Sequence, residues 1–114
     1  MPKAILVLGT NPVSAEREDE YNDWYTNTHI GDVMKLDGVT SARRFVLSPV
    51  RPAPGSSPSP FRYLAIYEVE ADDLQRLAVD LREAQASGQM CVSDALGSPV
   101  STDFYVPIDG AHLP

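Results

Sequence analysis

Glu20-Tyr21-Asn22-Asp23-Trp24-Tyr25-Thr26-Asn27-Thr28-His29-Ile30-Gly31-Asp32-Val33 is the stretch on which the reading of this chain turns. It holds the only Trp, two of the five Tyr and one of the two His. At about 100° per residue, Tyr21, Trp24, Tyr25 and Thr28 fall on one helical stripe, with His29 at its edge one turn after Tyr25. A helix packed for stability alone uses Leu, Ile and Ala, because each buried phenol or imidazole needs a hydrogen-bond partner. An aromatic face carrying acid/base groups therefore points to a pocket. The competing reading is an ordinary aromatic core whose His serves the helix C-terminal dipole.

The elements on either side define a fold. Lys3 to Gly9 reads as a buried strand closed by a Gly-Thr-Asn-Pro turn. Ser14 is placed to cap the first helix, and Glu16, Glu18, Asp19 and Glu20 load its start with the charge that the helix dipole favours. Gly31 is expected to break that helix after His29, and Asp32 either caps the next turn or orients the His29 ring. Val39 to Leu47 reads as a second strand, with Val39, Phe45 and Leu47 on one face and Thr40, Ala42, Arg44 and Val46 on the other.

Ser48 to Pro60 holds five prolines, four serines and Gly55 without apolar periodicity, and is expected to be a flexible loop. Phe61 to Glu70 returns to strand, with Tyr63, Ala65, Tyr67 and Val69 alternating against Leu64 and Ile66. Asp72 is expected to cap a second helix whose stripe is Leu74, Leu77, Ala78, Leu81 and Ala84, ended by Ser87-Gly88. Met90, Val92 and Leu96 are the candidate anchors of the irregular stretch that follows. Ser101 to Ile108 gives the last strand.

The order β-α-β-β-α-β is that of an α+β, ferredoxin-like domain, an antiparallel sheet with two helices on one face. It occupies residues 1–110 as a single unit, with 111–114, including His112, as a tail. Two helices cover only one sheet face, while the third strand is apolar on both. A second copy of the chain is the simplest cover, so a homodimer is expected.

Composition narrows the function. With 43% hydrophobic and 22% charged residues, the chain is an ordinary globular one. A net charge of −7 argues against nucleic acid or an anionic membrane as partner, because both need a concentrated positive surface. No run approaches the ~20 apolar residues of a membrane span, and Ala4 to Leu8 is too short for a signal-peptide core. With the single Cys91 ruling out an intrachain disulfide, the default location is cytoplasmic. No phosphate-binding glycine loop or metal-ligand spacing is legible, so no cofactor and no metal are expected.

The motif Glu20-Tyr21-Asn22-Asp23-Trp24-Tyr25, then Thr28 to Val33, Leu36-Asp37-Gly38-Val39 and Ser41-Ala42-Arg43-Arg44-Phe45, resembles the dimeric α+β barrel superfamily, nearest its EthD-like branch. That branch usually has Pro two residues after the His, where this chain has Gly31. The resemblance implies a hydrophobic small-molecule ligand between sheet and helices. It implies His29 as general acid/base with Tyr25, and Tyr21 and Trp24 as pocket wall or hydrogen-bond donors. Thr28, Asp32, Arg44, Tyr63 and Tyr67 complete the candidate substrate-binding set. One of Arg43 and Arg44 must face the helices, as a rim salt bridge to the acidic first helix or as an anchor for a carboxylate or enolate. The expected activity is cofactor-independent cyclase, isomerase or lyase chemistry. The alternatives are a non-catalytic ligand-binding or accessory protein, or a cofactor-free monooxygenase.

Overall fold

A computed structural model describes residues 3–110; the 111–114 tail with His112 lies outside them. Four strands, β1 (Lys3–Thr10), β2 (Val39–Val46), β3 (Tyr63–Glu70) and β4 (Ser101–Tyr105), form one antiparallel sheet in the order β2-β3-β1-β4. The first helical region runs as a 3-10 turn (Ala15–Arg17), α1 (Glu18–Trp24), a π turn (Tyr25–His29) and α2 (Ile30–Met34). The second is α3 (Leu74–Ala86). This is the expected α+β, ferredoxin-like arrangement.

Strand alternation decides which sheet face the helices cover. Ala4 and Leu6 of β1 and Tyr63, Ala65, Tyr67 and Val69 of β3 are buried, and they join Tyr21, Tyr25, Val33, Leu77 and Ala84 in one core. The opposite face is open. There Phe45, Leu64 and Tyr105 are 44%, 37% and 57% exposed. A groove of about 580 Å³ lies on this face, lined in part by Lys3, Ile5, Thr40, Ile66, Glu68 and Tyr105.

Several local expectations are corrected. Gly31 does not break the helix: Ile30 to Met34 continues it, and Asp32 lies inside that turn rather than capping it. Ser14 occupies the cap position in extended backbone, but its side chain makes no capping hydrogen bond. α3 is capped by Asp73 rather than Asp72; its side chain accepts from Gln75 N–H and Arg76 N–H, two of the donors every helix start leaves free. Val39 shares a face with Ala42 and Arg44, not with Phe45, because an irregularity between Val39 and Ser41 inserts Thr40 and reverses the alternation. β4 stops at Tyr105, and Val106 and Ile108 are exposed beyond the last residue paired with β1. In the irregular stretch Met90 and Ala95 are buried, while Val92 is exposed.

The Pro-rich segment 48–60 is irregular and exposed throughout. Its ends are tied: Leu47 N–H donates to Arg62 O at 2.7 Å, and the Asn11 side chain bonds Pro60 O and Arg62 N–H. The loop is thus an excursion from the β2–β3 hairpin. No helix among the described residues is long and apolar enough to cross a membrane.

Candidate functional site

The π turn determines what the first helical region buries. Ile30 N–H donates to Tyr25 O, five residues back, so this turn takes one residue more than an α-helical turn. The buried face is therefore Tyr21, Tyr25, His29 and Val33, each four residues after the last. Thr28, expected on the stripe, is exposed and stands outside the cluster. His29, expected at the edge, is only 5% exposed.

The aromatic rings pack in continuous contact. His29 stacks on Trp24 at 4.7 Å between centroids and meets Tyr25 edge-on at 4.9 Å. Tyr25 also contacts Tyr21 at 5.7 Å and Trp24 at 5.3 Å, and Tyr21 lies 5.2 Å from Tyr63. These are the offset and edge-on geometries that aromatic quadrupoles favour. Arg44 enters from β2, its Cζ 4.4 Å from the Tyr25 centroid and 5.3 Å from that of Tyr63. Thus Tyr21, Trp24, Tyr25, His29, Arg44, Tyr63 and Tyr67 lie together, with Asp32 on the flank. They pack as a filled cluster. Trp24 and Arg44 are its partly exposed members.

The polar atoms divide into two sets. On one side they are satisfied: the Tyr21 hydroxyl is 2.5 Å from Thr10 Oγ1, and Tyr63 donates to Glu18 while accepting from Asn22 Nδ2 at 3.0 Å. Trp24 Nε1–H donates to Cys91 O at 3.0 Å. On the other side, among the described residues, His29 Nδ1 and one terminal Arg44 nitrogen are buried without a hydrogen-bond partner, and the Tyr25 and Tyr67 hydroxyls are buried beside each other without reaching hydrogen-bond geometry to any group. Each such group costs about 1–3 kcal/mol, so four in one cluster require an explanation.

Electrostatics assigns their states. Burial pushes the His29 imidazole below its ordinary value; Asp32 opposes this and the Arg44 charge adds to it. Burial raises the Tyr25 phenol far above the ordinary range, and pushes Tyr67 up to about 12. At neutral pH the cluster thus holds one neutral base and two protonated phenols. The Tyr63 hydroxyl bonded to it, with Arg62 alongside, holds the Glu18 carboxyl low.

Thr10, Glu18, Asn22, Thr26 and the Cys91 carbonyl complete the site's polar contacts and were not singled out from the sequence. Only Thr10 had a signal there: continuing the alternation from Leu6 and Leu8 puts a polar residue on the core face. The described residues contain no group of three His, Cys, Asp or Glu placed to hold a metal ion.

Because the folded state disfavours charged His29, its contribution to stability is complete above about pH 6.5 and is lost as pH falls through the folded value. Urea unfolding at pH 7.5 and 5.0 should show wild type losing more stability across this span than His29→Gln. Equal losses would mean that His29 is not the group responsible.

No family model and no curated protein sequence matches this chain. Solved structures do match. An EthD family protein from Bacillus halodurans superposes with a TM-score of 0.61 at 18% identity, covering 95% of this chain and 100% of that one. HapK from Hahella chejuensis gives 0.57 at 13% identity, and SnoaB from Streptomyces nogalater, a cofactor-independent oxygenase, gives 0.53 at 13%. Both cover 97% of this chain and 98% of their own. At these identities the likeness is one of fold. The chain has the α+β, ferredoxin-like fold of the EthD family protein and of the other structures on which it superposes.

Proposed function

We propose that this chain is a cofactor-independent enzyme of cyclase, isomerase or lyase type, acting on a hydrophobic carbonyl or phenolic small molecule. The observation that carries the reading is a buried, neutral His29 with an unpartnered Nδ1, edge-on to a Tyr25 whose hydroxyl is also unpartnered. In this reading His29 accepts a proton from a carbon α to the carbonyl. Tyr25, kept protonated by burial, donates to the oxygen on which the enolate charge develops. His29 then returns the proton to a second carbon or to a leaving group. Tyr21, Trp24, Tyr63 and Tyr67 supply the apolar walls, and Asp32 raises the basicity of His29.

Two observations support other readings. The fold shared with SnoaB, described as a cofactor-independent oxygenase, favours monooxygenation, in which deprotonation by the same base would come first. The same unpartnered polar atoms also suit a non-catalytic ligand-binding role, which needs no proton transfer. Exchange at carbon separates catalysis from binding. With 2-tetralone in D₂O followed by proton NMR, wild type should accelerate deuterium incorporation at the α-carbon over buffer. His29→Ala should lower that acceleration by about 10²-fold or more, and Tyr25→Phe by about tenfold or more. A His29→Ala protein that unfolds more easily yet exchanges at the wild-type rate would make His29 a core residue only.

We also propose that two copies pair through the open sheet face. Ile5, Phe45, Leu64, Ile66 and Tyr105 give it an apolar character that monomers seldom leave in water. Sedimentation at concentrations on the order of micromolar should give a dimer, and Ile66→Glu should shift it towards monomer. A wild-type monomer under those conditions would contradict the pairing.

A further inference from the structure

Arg44 carries a positive charge into the helix–sheet interface, and no carboxylate of the described residues pairs with it. It stands opposite Ala65 on the covered face of the sheet. One terminal nitrogen donates to the Thr26 hydroxyl at 2.9 Å; the other is buried, and although the guanidinium lies beside the neutral Tyr21 phenol, it makes no hydrogen bond of full geometry among the described residues. The Tyr25, Tyr63 and Tyr21 rings surround the guanidinium at 4.4, 5.3 and 5.4 Å.

Carboxylates are not scarce: the chain has 16 acidic residues against 9 basic ones. Arg17 pairs with Glu20 and Asp94, Arg62 with Glu18 and Arg76 with Asp80, whereas Arg44 takes part in no ion pair among the described residues. Glu18, on the acidic start of α1, is occupied by Arg62 and Tyr63. A guanidinium cannot escape burial by losing its proton, as a lysine can. The tyrosine π faces offset part of the cost of burying the charge, but they do not replace the missing acceptor for its N–H groups. The missing acceptor is an oxygen, and a charged one gives the stronger bond.

We infer that Arg44 anchors an anionic oxygen, so that the ligand of this cluster is an acid: a flat aromatic or unsaturated body bearing a carboxylate or an enolate. The inference rests on the proposed ligand site around His29 and names the class of molecule it takes. Tyr67, whose hydroxyl is also buried outside hydrogen-bond geometry to any group, supplies a further donor to the same anion, while Trp24 and the tyrosine rings receive the flat body. The anchored charge then places the reacting carbon, leaving His29 as the neutral base beside it.

Calorimetric titration with 2-naphthoate and with its neutral analogue 2-naphthamide tests this. Wild type should bind the carboxylate at least about tenfold more tightly than the amide, and Arg44→Gln should abolish the difference. If Arg44→Gln does not fold, Arg44→Lys, which keeps the charge but not the planar fork, should reduce the preference severalfold. Lys3→Gln, in the groove on the open sheet face, should leave it unchanged. Equal affinity for the two probes in wild type, no binding of naphthoate, or a preference that survives Arg44→Gln and falls with Lys3→Gln would each overturn the assignment. The comparison reads binding alone, so it stands or falls separately from the dependence of 2-tetralone exchange on His29.

Discussion

The hydrogen bond from Ile30 N–H to Tyr25 O is the constraint on which the rest of the site depends. An α-helical turn at this point would have turned Thr28 inward and left His29 at the margin. The additional residue aligns Tyr21, Tyr25, His29 and Val33 and presents them to Tyr63, Ala65 and Tyr67 on β3. A π turn is a poorer helix than the one it replaces, and what sustains it is the aromatic packing it permits. The same rotation buries the Tyr25 hydroxyl and His29 Nδ1 beside the Arg44 guanidinium of β2 and the Tyr67 hydroxyl of β3, at a cost that Leu or Phe at 25 and 29 would not incur. A cluster built only to stabilise the fold has no reason to bear that cost. The ligand proposed above would supply one by filling those hydrogen bonds.

Charge works on two scales in this molecule. The surface is acidic, with a net charge of −7. The interior of the candidate site has the opposite character, with an unpaired guanidinium, protonated phenols and a neutral imidazole. Surface charges farther away than about 8–10 Å are screened at physiological ionic strength, whereas Arg44 acts in a poorly screened interior. Arg44 thus adds a positive charge at the cluster, opposed at His29 by Asp32, and the desolvation that keeps His29 neutral also keeps Tyr25 and Tyr67 protonated as donors.

Much of this was legible in the sequence because it rests on periodicity. The alternation of Tyr63, Ala65, Tyr67 and Val69 and the stripe from Leu74 to Ala84 identify their elements and the faces they bury, and the βαββαβ order follows. The co-location of Tyr21, Trp24, Tyr25 and His29 was legible for the same reason. Insertions of single residues were not, since they shift a pattern without changing composition. The π turn exchanged Thr28 for His29, and the irregularity at Thr40 moved Val39 to the other face. Gly31 looked like a break because glycine usually ends helices, yet here packing on both sides carries the helix through it. The distinction between Asp72 and Asp73 as cap depends on which of two adjacent carboxylates meets the free N–H groups, and no pattern encodes that. Nor could spacing show that Arg44 makes no ion pair among the described residues, because its neighbours come from three separate elements.

The central claim is that the fold buries an uncharged, available base at position 29. Its most direct test is the charge state of that ring, read from the imidazole ¹⁵N and ¹H shifts of His29 across a pH titration of the folded protein. The account predicts a midpoint below the 6.5 of a free histidine, with the ring neutral throughout the physiological range. A midpoint above that value, with His29 charged at pH 7, would contradict it.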